Sequence, residues 1–326
     1  MISNELGIVA IGRNEGQRLI NCLNSIRAEA KVPTVYVDSG STDRSSEAAA
    51  RSGVTVVNLD MARPFTAARA RNEGYAALLK LQPNTRFVQF IDGDCELVSG
   101  WLETALEFFA QRSNVAVVCG RRRERHPDTS IYNRLCDVEW DTPIGEATAC
   151  GGDAMIRADA LQAARGYRNE LIAGEEPEFC LRLRKLGWKI WRLDAEMTRH
   201  DAAMTRFAQW WRRTVRSGYA YAEIAQLHKN SKLRIYAQEV RRAIAWGGLL
   251  PLVICMGLLV HPAAGLGIFI YPLQVYRIAM RKSGDRSTAW TYASFLVIAK
   301  FAELQGVLKF QLRRLSGQAI SLIEYK

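Results

Sequence analysis

Two carboxylates, Asp92 and Asp94, stand one residue apart in FIDGDCEL (90–97), where the apolar run RFVQFI (86–91) stops. Two acids on one tight turn suit a hard divalent cation that keeps open positions for diphosphate oxygens. Gly93 between them permits the bend. The same tripeptide also reads as a turn capping the helix that follows. Its place at the solvent-facing tip of a buried strand favours the metal. Another acid, Asp38, closes the apolar run of VYVDSGSTDRS (35–45), where its carboxylate can receive an N–H of a uracil-like base. Thr42 and Asp43, further on, suit the N-terminus of the next helix. In GEEPEFCLRLRKLGW (174–188), Glu175, Glu176 and Glu178 fill a first helical turn, which the helix dipole favours.

These residues need a scaffold, and the chain before residue 200 spells one out. Short apolar strands alternate with helical patterns: LGIVAI, PTVYV, VTVVNL, RFVQFI and VAVVCG are each separated by an amphipathic stretch. The alternation predicts an α/β domain with a mostly parallel sheet and helices on both faces. Ligands of such sheets sit outside the carboxyl ends of the strands. The loops GRNEG, DSGSTD and DGDCE should therefore converge on one site. Neither G-x-G-x-x-G nor G-x-x-x-x-G-K-[ST] occurs, which argues against Rossmann dinucleotide and P-loop sites.

The net charge of +11 is unevenly placed. Residues 1–200 carry 26 Lys and Arg against 27 Asp and Glu, and residues 201–326 carry 18 against 6. The basic third also holds the most apolar stretches, AIAWGGLLPLVICMGLLV (243–260) and PAAGLGIFIYPLQVY (262–276). Basic residues beside long apolar runs describe a membrane surface and not a nucleic-acid groove. Seven scattered cysteines without a C-x-x-C pair suit a reducing cytosol, and the N-terminus has no basic region of the signal-peptide kind.

Three regions are expected. Residues 1–203 form the catalytic domain. Residues 204–235 form an amphipathic helix region whose Phe207, Trp211, Val215 and Tyr219 recur at i, i+4 and face a membrane interface. Residues 236–326 form a helical membrane region with a hairpin at about 243–280 and an amphipathic helix at about 288–315. Arg241 and Arg242 precede the hairpin and Arg277, Arg281, Lys282 and Arg286 follow it, which places both ends at the cytoplasmic face of the cell membrane.

GRNEG, VDSGSTD and the D-x-D occur in the order seen in glycosyltransferase family 2, whose members have the GT-A fold, and residues 5–200 resemble that family. ARARNEG (68–74) and ACGGDAMIRADAL (149–161) extend the likeness. GEEPEFCLRLRKLGW resembles the family's E-D-x-[DE] helix, with Glu176 where Asp is usual. QWWRR (209–213) is similar to the Q-x-x-R-W of processive synthases, with Arg213 in place of Trp, a departure that speaks against processivity. The resemblance implies a nucleotide-sugar site at Asn14, Glu15, Asp38, Ser39, Arg71, Asp92 and Gly93. It implies Mg²⁺ or Mn²⁺ at Asp94, Asp92 and His200, the histidine following the strand WKIWRL. It implies Glu176, with Glu175 beside it, as the catalytic carboxylate, acting as general base on the acceptor hydroxyl. Asn72 holds local structure, and RRRER (121–125) reads as a solvated charged loop.

The function implied is metal-dependent inverting transfer from a nucleotide donor, a UDP-sugar, to a hydroxyl of a lipid-linked glycan or polysaccharide precursor. Two alternatives stand beside it. One is a nucleotidyltransferase, which usually carries an early glycine-rich phosphate loop that GRNEGQR matches poorly. The other is a non-catalytic membrane scaffold, which would have lost the site acids.

Overall fold

The computed structural model describes residues 5–282 and 284–317. They belong to two compact units, Met1–Ala203 and Met204–Lys326. Residues 1–4, 283 and 318–326 of the expected regions lie outside the described residues.

The first unit is a nine-stranded sheet. Its strands are β1 (Leu6–Gly12), β2 (Thr34–Asp38), β3 (Thr55–Asn58), β4 (Phe87–Asp92), β5 (Cys95–Leu97), β6 (Val115–Glu124), β7 (Gly145–Ala147), β8 (Ala154–Arg157) and β9 (Lys189–His200). Helices α1 (Gln17–Glu29), α2 (Ser45–Arg51) and α3 (Ala67–Leu81) return the chain between the first four long strands, and α4 (Trp101–Gln111), α5 (Ile131–Glu139), α6 (Ala158–Ala163) and α7 (Glu175–Lys185) follow. Successive residues of a strand face opposite sides. Every residue of β1 from Leu6 to Ile11 is buried, so both faces of the sheet are covered at its centre. Helix α3 comes closest at Gly74, where a Cβ would lie 2.4 Å from Val9 and 2.8 Å from Val37.

The strand order is β3-β2-β1-β4-β8-β6-β9-β5, with β7 on β9. Strands β3, β2, β1 and β4 are parallel throughout. Strand β8 runs against both β4 and β6, β6 and β9 are parallel, and β5 and β7 run against β9. The second half of the sheet is therefore mixed. Its antiparallel members span three or four residues each, too few for a periodic signal in sequence. Register does the positioning. Gly12 pairs with Asp38 and Ile11 with Asp92, so the loops after β1, β2 and β4 leave the sheet side by side.

Two strands run further than their apolar patterns. Strand β6 continues through Arg121–Glu124, and β9 continues to His200, which pairs with Glu124 and with Cys95. The arginine run is thus the end of a strand and not a solvated loop. His200 lies inside a strand instead of following one.

The second unit is helical. Helix α8 (Phe207–Leu227) is followed by α9 (Ala237–Ile244), which passes through a π-helical segment, Ala245–Leu249, into α10 (Leu250–Leu258). A 3₁₀ stretch, Pro262–Phe269, leads to α11 (Ile270–Arg281) and then α12 (Arg286–Ser316). Helices α8 and α12 meet at glycines, since a Cβ on Gly218 would fall 2.1 Å from the Glu303 carbonyl oxygen and one on Gly306 2.1 Å from that of Val215. Val215 and Tyr219 are buried there, Trp210 sits edge-on to Phe295 at 4.8 Å, and the Trp211 indole donates to Gln305. Trp211, Val215 and Tyr219 of the stripe assigned above to a membrane interface therefore lie on the face of α8 that packs against α12, while Phe207 stays exposed. Gln209 of QWWRR caps its own helix, accepting the N–H groups of Thr205 and Arg206.

Candidate active site

The loops after β1 and β2 are tied together by their own side chains. Asn14, in the left-handed region at φ 55°, accepts the Thr42 N–H at 2.7 Å and donates its own N–H to Ser41 Oγ at 2.9 Å. The adjacent Gly16 N–H donates to Ser45 Oγ, and Glu15 pairs with Arg18 at 2.8 Å. Asp38 is buried at the end of β2. Its Oδ1 accepts the hydroxyls of Tyr36 and Ser41, and its Oδ2 accepts the N–H groups of Gly40 and Ser41. A carboxylate offers about four acceptor positions. Here its own loop occupies them, so Asp38 shapes the rim of the site, with Ser39 held by its N–H on the Gly12 carbonyl.

The D-x-D turn leaves β4 beside β1. Gly93 does not occupy the left-handed region. Glycine is called for because its N–H donates to the Ile11 carbonyl at 2.7 Å, and a Cβ would stand 3.1 Å from that oxygen. The bend expected of Gly93 is thus a close approach of backbones. Asp94 is also not solvent-facing as expected. Its side chain is buried, with Oδ2 3.3 Å from His200 Nε2.

Asp92 is held by two arginines. Arg71 Nη2 donates to Oδ1 at 2.9 Å and Arg122 Nη2 to Oδ2 at 3.0 Å. Burial alone would raise the Asp92 carboxyl, but these guanidinium groups hold it well below the usual carboxylate range. Arg71, itself 2% exposed, reaches across to α7, donating to Glu175 Oε1 at 2.7 Å and standing 3.2 Å from Glu176 Oε1. The glycine before α7, Gly174, turns the chain in at φ 76°. Burial first and the charge of Glu175 second lift Glu176 to about 7, with Arg71 acting against them. Glu178 faces elsewhere, paired with Arg168 at 2.8 Å and Arg182 at 2.9 Å. Asn72 holds the chain after α6 by accepting the Tyr167 N–H and donating to its carbonyl.

The structure brings in further residues that no motif marked as part of a site. Arg122 links Asp92 to Asp153, whose carboxylate also accepts the Thr198 hydroxyl at 2.7 Å and the Asp92 N–H at 2.9 Å. Glu124 Oε2 lies 3.7 Å from His200 Nδ1, too far for a hydrogen bond but close enough to orient the ring. Trp140 stands edge-on to His200 at 4.7 Å, with the Arg122 guanidinium over its ring at 5.5 Å. Asp153 in ACGGDAM stands just before the four-residue strand β8, which is too short to carry a periodic clue.

These side chains fit a divalent cation. Ligand atoms of Asp94, Cys95 and His200 lie within 4.8 Å of one another, as do those of Asp92, Cys95 and Asp153. Burial keeps the Cys95 thiol protonated and pushes His200 down against the pull of Glu124, leaving a neutral imidazole and hard oxygens as donors. His200 Nδ1 is buried without a hydrogen bond. The carboxylates of Asp92, Asp153, Glu175 and Glu176 pair with the guanidinium groups of Arg71 and Arg122, and those of Asp94 and Glu124 lie beside His200, a concentration of acids that a cation would offset.

Parallel β-α units that end in a shared polar cradle, joined by a D-x-D to a mixed half-sheet, define an open α/β fold with its polar site at the strand ends. The chain belongs to glycosyl transferase family 2, whose profile matches residues 8–170. Among solved structures it is similar to the mannosyltransferase PcManGT from Pyrobaculum calidifontis, solved in complex with GDP-Man and Mn²⁺. That likeness covers 97% of this chain and 88% of the other at a TM-score of 0.58, with 14% identity, so it speaks for the fold alone. It is also similar to S. aureus TarS 1–349, at a TM-score of 0.51 and 15% identity over 96% of this chain and 92% of that one. TarS 1–349 has also been solved in complex with UDP-GlcNAc. No curated protein matches in sequence. The fold is GT-A, and the protein is a glycosyltransferase.

Proposed function

We infer that the protein moves a sugar from a nucleotide sugar to an acceptor hydroxyl by single displacement, inverting the anomeric centre. What carries this reading is the bridge from Asp92 through Arg71 to Glu176, which joins the D-x-D turn to the acids of α7 within 3.2 Å. Glu176, poised near 7 and the least buried member of the bridge besides Asp92, takes the proton of the attacking hydroxyl. The acceptor oxygen then forms its bond to the anomeric carbon as the bond to the diphosphate breaks. Asp94, Asp92 and His200 are the residues that would hold Mg²⁺ or Mn²⁺. When bound, the cation offsets the charge that gathers on the departing diphosphate. Arg71 keeps Asp92 charged and holds Glu175 in place, so Asp92 does not compete with Glu176 for the proton.

The nucleotide belongs at the rim built by Asn14, Glu15, Asp38 and Ser39. A UDP-sugar is the donor that the V-D-x-G-S-T-D likeness supports. The apolar helices Ala237–Leu258 and Pro262–Arg281 are long enough to enter a membrane, and the arginines at their outer ends favour the cytoplasmic face. That setting suits a lipid-linked glycan or polysaccharide precursor as acceptor. Donor consumption by the full chain against a panel of nucleotide sugars, with Mn²⁺, with Mg²⁺ and with chelator, tests the reading. Metal-dependent release of one nucleoside diphosphate supports it, and the absence of turnover of any sugar nucleotide contradicts it.

A further inference from the structure

The hairpin of the second unit carries an inference beyond membrane attachment, and it rests on that attachment. Between Ala243 and Ala279 no residue is buried, and within that stretch the two most exposed large apolar side chains stand at the turn, Leu259 at 80% and Val260 at 87%. Charge is absent from 243–276, and Arg242 and Arg277 bound that stretch.

Two features set the depth to which it can enter a bilayer. The first is a polar level partway along the arms. The Lys300 carbonyl would lie 2.4 Å from a Cβ on Gly247, and Lys300 pairs with Glu303 at 2.6 Å. At the same level, the Tyr271 hydroxyl donates to the Trp246 carbonyl, and Tyr271 stacks near Phe301 at 5.7 Å. An ammonium–carboxylate pair beside a Trp and a Tyr is the chemistry of the headgroup boundary and not of hydrocarbon. From Leu249 to Leu259 the arm then rises about 15 Å at about 1.5 Å per residue, against a hydrocarbon core of about 30 Å.

The second feature is the turn itself. The N–H groups of Leu259, Val260 and His261 donate to the carbonyls of Met256, Gly257 and Gly257, and that of Ala264 donates to His261. The Ala263 N–H donates to His261 Nδ1, and Pro262 has no N–H to satisfy. A turn that bonds all its backbone donors can sit where no water reaches.

We propose that residues 249–270 dip into a single leaflet, with Trp246 and Tyr271 at the headgroups and Val260 near the bilayer midplane, so that the hairpin anchors the chain without crossing. The full chain, with Cys255→Ser to remove its exposed thiol, is to be labelled with bimane at Val260→Cys or Trp246→Cys. It is then reconstituted in vesicles of phosphatidylcholine and phosphatidylglycerol carrying nitroxide lipids at shallow or deep acyl positions. The Val260→Cys label should be quenched at least threefold more by deep than by shallow nitroxides, and the Trp246→Cys label the reverse. Reaction of Val260→Cys with an impermeant maleimide trapped inside the vesicles would overturn the one-leaflet inference while leaving attachment intact. Failure of the full chain to float with vesicles, or a label unquenched by any lipid in a self-associated protein, would overturn attachment itself.

Discussion

Glu176 stands 3.2 Å from the Arg71 guanidinium that also binds Asp92 at 2.9 Å. One buried arginine thus spans residues that are far apart in the chain. It keeps Asp92 ionised and in place, while Glu176, pressed by burial and by Glu175, is left as the acid most ready to exchange a proton near neutrality.

The bridge is packed against Gly152. A Cβ there would fall 2.5 Å from Arg71 Nη2 and 2.7 Å from Asp92 Oδ2, whereas one at Gly151 would meet nothing within 4 Å. Gly152→Ala should lower donor turnover at least tenfold and destabilise the fold by about 1–3 kcal/mol. Gly151→Ala should do neither. Kinetics and urea unfolding of the two variants check this, and equal behaviour would refute the packing.

Arg122 neutralises Asp92 and Asp153, and the Asp153 side chain is 0% exposed. Arg122→Ala leaves buried charge behind and should cost about 3–5 kcal/mol in urea unfolding together with most activity. Its neighbour Arg123, half exposed and paired with Glu196, should cost under about 1 kcal/mol on the same change.

How legible these roles were in sequence depended on where each residue sits in the sheet. Asp38 and Asp92 end apolar runs that pair in register with β1, so strand-end reasoning found them. Glu176 stands out through the likeness of GEEPEFC to the family's E-D-x-[DE] helix, since an acidic first turn by itself only suits the helix dipole. Arg122, Glu124 and Asp153 were hidden for a physical reason. Strand β6 shifts register at Cys119/Arg121 and again at Arg121/Arg122, so strict alternation cannot tell which arginine turns inward. Only the pairing with β9 decides it. The aromatics of α8 misled in the opposite sense, since an amphipathic stripe looks the same whether α12 or a lipid surface covers it.

Asp94 faces His200 at 3.3 Å, and its backbone carbonyl separately accepts the Asp201 N–H. Asp94→Ala keeps that backbone bond and removes a carboxylate from the cation site. Metal-dependent donor turnover should fall about a thousandfold, corresponding to several kcal/mol of transition-state stabilisation. A folded Asp94→Ala protein, judged by circular dichroism, that retains near-normal turnover would rule out the D-x-D as the cation site.

Glu176 also links stability to pH. Its folded value of about 7 lies above its ordinary 4.5. Below about 4.5 both states hold the proton, and as pH rises toward 7 the unfolded chain releases it first. Stability is therefore present at low pH and lost as pH passes through 7. Glu176→Gln removes that loss, so its melting temperature should exceed wild type by a margin that grows from pH 5 to pH 8. Thermal unfolding across that range measures the margin, and a constant difference would show that Glu176 does not titrate there.

The pH dependence of donor turnover, compared between wild type and Glu176→Gln, tests the central claim most directly. Wild-type kcat should climb about tenfold per pH unit below 7 and level off above it. Glu176→Gln should lose that limb, fall at least roughly a hundredfold at pH 8, and bind donor within about threefold of wild type. A Glu176→Gln enzyme that keeps both the rate and the limb would show that the proton goes elsewhere.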